Sequence, residues 1–292
     1  MSEHAPVLGF IGLGVMGGSM CRNVVKKHSR PVYVFDMAPA AITEQVDSGA
    51  VAAASVAELA KQAEIIFLSL PGGKQVASVC AEITQHAKPC SIVVDLSTTA
   101  VADARAAAAI LAAAGIGFAD APVARTRQAA IDGTLSIMVG ASQDVFPRIA
   151  PLLAYLGSDV TLCGDVGCGQ VVKLVNNTLL FEQVAAIAEM MVVAERAGVT
   201  PEKLIEAVGL GSGNSFALQT HGKKAMAPRN FPEKAFPSHY ALKDLGYTLE
   251  LAEQTGVDAK IGKLAATYYQ AAVDAGIGEK YFPAIIELVG GK

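Results

Sequence analysis

Short apolar runs alternate with segments of helical length over the first half of the chain. Seven runs have strand length: VLGFI at 7–11, PVYVF at 31–35, EIIFLSL at 64–70, SIVVDL at 91–96, IGFAD at 116–120, LSIMVG at 135–140 and DVTLC at 159–163. Strands that alternate with helices are typical of a mostly parallel sheet covered by helices. The pattern therefore predicts an α/β domain up to about Cys163.

The pattern changes after Cys163, where the strand-like runs stop. Between residues 169 and 196, apolar residues recur at helical spacing, at Val172, Val175, Leu179, Val184, Ile187 and Met191. Such a helix would be roughly 40 Å long, which is enough to bridge two domains. The remaining residues, up to 292, are typical of further helices separated by segments rich in Gly and Pro. We therefore expect a second, all-helical domain.

A glycine turn, Gly12-x-Gly14-x-x-Gly17, follows the first predicted strand and precedes a plausible helix. The first Gly permits a tight turn, the second lets the backbone approach a pyrophosphate, and the third allows close helix packing. The helix N-terminus would face the negative charge. Val15 and Met16 lie inside the turn. We therefore predict that all five residues contact a dinucleotide.

The second predicted strand ends in Asp36. An acid at this position accepts hydrogen bonds from the adenosine ribose hydroxyls. Asp36 would also repel a 2′-phosphate, and the following residues, 37–39, supply no Arg to receive one. The sequence therefore predicts NAD rather than NADP as the cofactor. The alternative is that the glycine turn only packs and that Asp36 only ends a strand.

Composition excludes several classes of protein. The 292 residues, 52% of them hydrophobic, are enough for two domains with a sizeable core. A net charge of −4 without a cluster of Lys and Arg argues against nucleic acid as a partner. Five cysteines without CxxC and five histidines without HExxH indicate neither a disulfide framework nor a metal site.

Glu182, Glu189 and Glu195 interrupt the longest apolar segment, which argues against a membrane span. The N-terminus has no basic region before an apolar run, so we expect no signal peptide. Together these features predict a cytoplasmic protein.

Five motifs occur in order along the chain: GFIGLGVMGGSM at 9–20, DLSTT at 95–99, DAPVARTRQAAIDGTLSIMVG at 120–140, GCGQVVKLVNN at 167–177 and KDLGYTLELA at 243–252. With them the chain resembles the β-hydroxyacid dehydrogenase family, which includes the 3-hydroxyisobutyrate dehydrogenases. The resemblance implies a Rossmann domain with a mostly parallel sheet over 1–165. It implies an all-α domain over 166–292, built on a long interdomain helix, and a cleft between the two for a small anionic substrate. It also implies a homodimer or homotetramer formed largely through the helical domains.

By this resemblance Lys173 is the catalytic residue, and the residue pattern agrees. On a helix, Lys173 and Asn177 share a face one turn apart, with Asn176 beside them. These polar residues on an apolar helix are costly unless they face a polar cleft. Oxidation of a hydroxyl needs a base to take its proton, and reduction of an aldehyde needs the same group to return it. The alternative is a helix-end lysine that reaches solvent.

The resemblance also implies roles for residues in the loops. Ser97 and Thr98 match positions near the nicotinamide and the substrate carboxylate, although a strand-end turn would also explain them. Leu70 and Pro71 match a loop that borders the cofactor, although an X-Pro strand ending would explain them too.

Two residues of the helical domain match family positions at the active site. Lys243 corresponds to a lysine over the active site that contacts cofactor and substrate, and in isolation it would be a surface charge. Phe216 corresponds to an aromatic residue near the cleft, at a cofactor-binding position, although core packing is the commoner role of a single Phe.

The chain departs from the family at the substrate loop. Most members carry Ser-Gly-Gly after Asp-Ala-Pro-Val, where this chain has Ala124-Arg125-Thr126. A guanidinium offers a planar fork for an oxyanion, so we hypothesise that Arg125, with Thr126 and Asn176, binds an anionic head group. The pattern is similar to that of sulfolactaldehyde reductases, whose Arg binds sulfonate, although Leu180 replaces their serine. The alternative is that Arg125 ties the two domains together or points outward.

The sequence favours an NAD-dependent oxidoreductase that interconverts a small 3-hydroxy acid and its semialdehyde. The alternatives are a sulfolactaldehyde reductase, a tartronate or succinic semialdehyde reductase, a non-catalytic nucleotide-binding scaffold, and an imine reductase of related architecture. Lys173 disfavours the last two, which would be expected to lack it. Fold similarity alone could not separate these classes.

Overall fold

The computed structural model describes residues 5–233 and 235–290. The chain divides into two compact units, Met1–Lys173 and Leu174–Lys292. The predicted division after residue 165 precedes the long helix that begins at Cys168, whereas the observed division falls inside that helix.

A nine-stranded sheet organises the described part of the first unit. Its strands are β1 Leu8–Ile11, β2 Val32–Phe35, β3 Val51–Ala52, β4 Ile65–Leu68, β5 Ile92–Asp95, β6 Gly117–Asp120, β7 Val123–Ala124, β8 Leu135–Ala141 and β9 Gly157–Gly164. The order is β3-β2-β1-β4-β5-β6-β8-β7, and β9 pairs with β8. The first six strands are parallel, with Leu8 opposite both Val32 and Ile65. The predicted mostly parallel sheet is confirmed.

Helices cover this sheet: α1 Gly17–Lys27, α2 Pro39–Val46, α3 Val56–Gln62, α4 Gly73–His86, α5 Val101–Ala113, α6 Arg127–Asp132 and α7 Phe146–Leu153. Alternate strand residues face opposite sides. Phe10 and Phe67 enter one apolar core, whereas Ile11 and Leu68 enter a second core. Burial on both faces explains why the parallel strands are continuously apolar.

Three features of the sheet were missing from the sequence prediction. β3 and β7 have two residues each, which is too short for any periodicity to appear. β8 runs antiparallel to β6 and β7. Strand direction depends on the connection, and the sequence of β8 itself carries no sign of it.

The long helix α8, Cys168–Arg196, begins in the first unit and continues through the second. The second unit also contains α9 Pro201–Gly209, a π-helix Leu218–Met226, α10 Ser238–Gln254, α11 Lys260–Asp274 and a 3-10 helix Phe282–Leu288. Phe181 of α8 packs edge-on against Tyr269 and Phe282 in the core of this unit. The predicted helical second domain is confirmed.

By length and composition, α8 is also apolar enough to cross a membrane. The core helix of a soluble protein passes the same test. Phe181, Val184 and Met191 of α8 belong to the apolar core of the second unit, so packing inside the protein accounts for part of its apolar composition. The absence of a membrane span stays a prediction.

Candidate active site

The glycine turn lies between β1 and α1. Gly12 has a φ of 92°, and a Cβ on it would overlap the carbonyl oxygen of Ser69. A Cβ on Gly17 would overlap the carbonyl oxygen of Gly12. Gly14 differs, because no heavy atom lies within 4 Å of its Cβ position. The fold itself therefore requires Gly12 and Gly17, whereas Gly14 leaves open space for a ligand.

The N-terminus of α1 is available to an anion. Its N-cap residue, Met16, makes no side-chain capping hydrogen bond, and the first turn contains no acidic residue. The N–H groups at a helix N-terminus and the helix dipole favour a negative charge there. A depression of about 220 Å³ adjoins the turn, and its lining includes Arg22, Arg127 and Glu44, which pairs with Arg22. The turn therefore fits the pyrophosphate of a dinucleotide.

Asp36 follows β2 at the carboxyl edge of the sheet. Its Oδ2 accepts a hydrogen bond from the amide of Leu13 at 2.6 Å, and its Oδ1 accepts one from the amide of Ala38 at 2.8 Å. These bonds fix the carboxylate beside the glycine turn. Each carboxylate oxygen has a further lone pair, so the group can also accept ribose hydroxyls.

The loops after β4 and β5 contact each other. The hydroxyl of Ser97 accepts a hydrogen bond from the amide of Leu70 at 2.9 Å. Ser97 is buried, whereas Thr98 is half-buried and Pro71 is exposed. Ser97 and Leu70 therefore stabilise the two loops through their hydrogen bond, whereas Thr98 and Pro71 are more accessible to a ligand.

Two buried acids, Asp95 and Asp120, lie at the ends of β5 and β6. Both occur in motifs that the sequence analysis identifies, but the sequence did not predict a role for either acid. Burial raises the pKa of Asp95 to about 7, while hydrogen bonds from Ser97 oppose the shift and nearby Asp120 adds to it. Burial also raises the pKa of Asp120, opposed by hydrogen bonds from backbone amides. The Asp120 oxygens accept the amides of Gly167 at 2.6 Å and Gln170 at 2.8 Å. Asp120 therefore anchors the N-terminal turn of α8 to the sheet.

Lys173 lies on α8, three residues after Gln170. Its side chain is buried, with 8% of the residue exposed, which contradicts the alternative of a lysine that reaches solvent. Because Asp120 holds the preceding turn, the position of Lys173 relative to the end of β6 is fixed. A buried lysine on a helix turn that is held in this way can present its amine to a bound hydroxyl or carbonyl and exchange a proton with it.

A polar cluster in the second unit begins one helical turn after Lys173. The side-chain Nδ2 of Asn177 donates to Oδ2 of buried Asp244 at 2.7 Å, and Nδ2 of Asn176 donates to Oδ1 of Asn177 at 3.2 Å. Nζ of Lys243 lies 3.5 Å from the other Asp244 oxygen. The structure thus brings together three predicted residues around an acid, Asp244, that sequence reasoning missed.

Phe216 is 63% exposed, so it does not pack into the core. Its ring contacts the edge of His221 on the π-helix, with 6.0 Å between ring centroids. Burial lowers the pKa of His221 to about 4, so the imidazole is neutral at physiological pH. An exposed ring that rests on a buried neutral one is available to a ligand, and the cofactor role of Phe216 stays a prediction.

Arg125 has a φ of 85°, which is unusual for a residue with a side chain. Its guanidinium donates to the Thr134 carbonyl oxygen at 2.5 Å, to Ser158 at 2.9 Å and to Asp159 at 2.7 Å. All three partners lie in the first unit. Thr126 is exposed and begins α6 without a side-chain capping bond. The bonds of Arg125 use three of the five guanidinium N–H donors, so a substrate contact by Arg125 would use the remaining donors or replace one of these partners.

Two family models together match nearly the whole chain. Residues 7–164 match the NAD binding domain of 6-phosphogluconate dehydrogenase. Residues 167–289 match a domain described as NAD-binding of NADP-dependent 3-hydroxyisobutyrate dehydrogenase. The two matches meet just before α8 and confirm a nicotinamide cofactor, NAD(P).

Curated relatives are similar over almost their full length. The 2-(hydroxymethyl)glutarate dehydrogenase of Eubacterium barkeri is 34% identical, over 98% of this chain and 95% of the relative. The mitochondrial 3-hydroxyisobutyrate dehydrogenase of Homo sapiens is 31% identical, over 99% of this chain and 88% of the relative. Both are named as dehydrogenases of hydroxy acids.

Solved structures agree with the sequence matches. The 3-hydroxyisobutyrate dehydrogenase of Mycobacterium tuberculosis with L-serine has a TM-score of 0.91 and 30% identity, and covers 99% of this chain and 100% of its own. An imine reductase from Myxococcus stipitatus has a TM-score of 0.67 over 97% of this chain and 99% of its own, but 18% identity, and shares the fold alone. The enzyme alternative is thus favoured over a scaffold or an imine reductase. Fold, glycine turn, family models and relatives agree that this chain is an NAD(P)-dependent hydroxyacid dehydrogenase and belongs to the β-hydroxyacid dehydrogenase family.

Proposed function

We propose that the protein interconverts a small 3-hydroxy acid and its semialdehyde, with Lys173 as the general acid and base. The observation that carries this proposal is the position of Lys173. It is buried on α8, whose first turn is anchored by Asp120 to the end of a strand in the dinucleotide-binding sheet. Ligands of such sheets bind outside the carboxyl ends of the strands.

In the oxidation direction, Lys173 takes the proton of the substrate hydroxyl as the neighbouring carbon loses hydride. In the reduction direction, the same amine returns the proton to the aldehyde oxygen. The bound nicotinamide supplies the acceptor or donor of the hydride. Asn177, one turn further along α8, is held by Asp244 and orients a substrate oxygen beside the amine.

The cofactor is NAD rather than NADP. Asp36 is fixed beside the glycine turn, where a 2′-phosphate would bring a second negative charge next to the carboxylate. Residues 37–39 are Met, Ala and Pro and offer no cation to offset it. This preference rests on Asp36 and on the residues that follow it.

The substrate class is a carboxylate with a primary alcohol, or the matching semialdehyde. 2-(Hydroxymethyl)glutarate, 3-hydroxyisobutyrate and L-serine, named with three relatives, all fit this description. Ser97, Thr126, Asn176 and Lys243 are the proposed contacts to the acid group, together with Arg125. A sulfonate is the alternative substrate head group, favoured by Arg125 and disfavoured by Leu180, which has no hydroxyl to donate.

Initial rates with a panel of substrates test this function. The panel is 3-hydroxyisobutyrate, 3-hydroxypropionate and L-serine with the oxidised cofactors, and tartronate semialdehyde, succinic semialdehyde and sulfolactaldehyde with the reduced ones. We expect a carboxylate to give the highest kcat/KM, and NAD to exceed NADP by about tenfold or more because of the charge repulsion. Highest activity with sulfolactaldehyde would favour the sulfonate alternative. Absence of turnover with every compound would contradict the proposal.

The role of Arg125 is separable from that of its partner Asp159. If Arg125 binds the substrate head group, Arg125→Ala raises KM for anionic substrates by about 10-fold or more, since charged hydrogen bonds contribute about 1.5–3 kcal/mol. Asp159→Asn, which removes the competing partner, would not raise KM. If both variants instead raise KM equally, Arg125 acts by holding its loop against β9, and the head-group role is wrong. Steady-state kinetics of the two variants measure this directly.

We also infer a homo-oligomer formed by the helical unit. Exposed apolar residues lie on one face of α8, at Val175, Leu179, Met190 and Val193. Ile261 and Leu264 extend this face onto α11, which approaches α8 where the Cβ position of Gly262 lies 3.8 Å from Thr178. Several exposed apolar side chains on one helix face are typical of an interface between subunits. The same surface on a second copy is the proposed partner.

Light scattering after size-exclusion chromatography tests the interface. We expect a dimer or tetramer, and a shift to monomer in Leu179→Glu combined with Ile261→Glu, because the charges would be buried between subunits. Leu210→Glu is the control, since Leu210 is 90% exposed and lies outside this face. A wild-type monomer, or an unchanged mass in the double variant, would refute the interface.

A further inference from the structure

Gln170 is a fully buried residue of α8 with a specific set of partners. Its Nε2 donates to the Ser97 carbonyl oxygen at 2.8 Å. Its Oε1 accepts a hydrogen bond from the Thr99 amide at 3.2 Å. The carboxamide therefore holds the backbone on both sides of Thr98, the residue predicted to lie near the nicotinamide.

The backbone of Gln170 is held as firmly as its side chain. Its amide donates to Asp120 at the end of β6, 2.8 Å away, and the amide of Gly167 donates to the other Asp120 oxygen. Lys173 follows three residues later and so lies on the same side of the helix. One residue thus connects the turn before Lys173 to both β6 and the loop after β5.

The loop at the other end of this connection is also fixed. The Ser97 amide donates to Asp95 at 3.0 Å, and the Ser97 hydroxyl accepts the amide of Leu70. Hydrogen bonds therefore run from Leu70 through Ser97 to Gln170, with buried acids supporting both strand ends. Displacement of the loop relative to α8 would break several of these bonds together.

We propose that Gln170 is a positioning residue, which sets the separation between the Thr98 loop and the amine of Lys173. The inference rests on the proton-transfer role of Lys173 proposed above. Gln is suited to this position because the loop presents one acceptor and one donor, the Ser97 carbonyl and the Thr99 amide. A carboxylate could satisfy only the donor, and an apolar side chain could satisfy neither.

Two variants test this role. Gln170→Met removes both hydrogen bonds while it retains the volume, and we expect kcat to fall by about 10- to 100-fold, as small misplacements of reacting groups do. The dissociation constant for NADH should change by less than about threefold, because the glycine turn and Asp36 are untouched. Gln254→Met is the matched control, because Gln254 is exposed and its side chain bonds Glu250 on its own helix.

Gln170→Glu gives a readout that a merely structural role would not change. Only a protonated carboxyl can donate to the Ser97 carbonyl, so its kcat relative to wild type should fall as pH rises from 5.5 to 9. Asp95 and Asp120 face this position from β5 and β6 and favour the protonated form, while Lys173 on α8 opposes it. This variant keeps the shape of glutamine, so it also serves if Gln170→Met fails to fold.

Three results would overturn the inference. The first is a kcat for Gln170→Met within about threefold of wild type. The second is a ratio of Gln170→Glu to wild-type kcat that stays constant across pH. The third is a loss of NADH binding in Gln170→Met that parallels its loss of kcat. Lys173→Ala measured in parallel separates this inference from the proposed function. If Lys173→Ala is inactive while the Gln170 variants are normal, only the positioning role is wrong; if Lys173→Ala is active, the proposed function fails.

Discussion

Replacement of Lys173 by alanine is expected to lower kcat by about 10²–10⁴-fold, the range typical of a lost general acid or base. Lys173 is buried on α8, and an alanine side chain at this position cannot accept the substrate proton. NADH should still bind, because the glycine turn and Asp36 follow β1 and β2 and are not part of α8. Steady-state kinetics together with NADH fluorescence titration measure both quantities.

A matched lysine separates this effect from a general loss of charge. Lys203 is exposed on α9, where it pairs with Glu206 at 2.7 Å. Lys203→Ala should retain wild-type kcat and KM. Equal rates in Lys173→Ala and Lys203→Ala would remove Lys173 from the mechanism, whereas a loss of NADH binding in Lys173→Ala would indicate a structural defect instead.

Gly14→Ala is expected to weaken cofactor binding without loss of stability. Its Cβ would meet no heavy atom of the protein, so the melting temperature of the cofactor-free protein should be unchanged. It would stand where the backbone must approach the pyrophosphate. Overpacking by a methyl group costs about 1–3 kcal/mol, which corresponds to roughly a 5- to 150-fold increase in Kd for NADH.

Gly12→Ala is expected to have the opposite profile. Gly12 has a φ of 92°, and its Cβ would overlap the Ser69 carbonyl oxygen. The left-handed backbone alone costs about 1–2 kcal/mol, so Tm should fall by about 2 °C or more. Calorimetry and NADH titration of both variants provide the comparison. If Gly14→Ala lowers Tm as much as Gly12→Ala and binds NADH normally, the open space at Gly14 is not a cofactor site.

Local patterns were enough to predict much of the fold. The alternating runs identified the long strands, and α8 begins at Cys168, one residue from its predicted start. The glycine turn and Asp36 could also be recognised from the sequence, because their spacing follows from contacts within one strand-turn-helix unit. Each of these features depends on residues that are close in the sequence.

Long-range partners could not be predicted in the same way. Gln170 and its partner Ser97 are separated by 73 positions, and Asn177 and Asp244 by 67. No local periodicity marks such pairs. Arg125 is a further example, because its ion pair with Asp159 depends on β8 and β9 lying side by side. Gln170, Asn177 and Arg125 all lie in the sequence motifs, but the motifs do not predict which residues they contact.

The central claim is that the Lys173 amine transfers the substrate proton. The most direct test is the single-turnover rate of hydride transfer in NADH-loaded wild type and Lys173→Ala, with and without added small primary amines. We expect transfer in Lys173→Ala to be slower by orders of magnitude and to be partly restored by methylamine. Hydride transfer at the wild-type rate in Lys173→Ala, without any added amine, would contradict the claim.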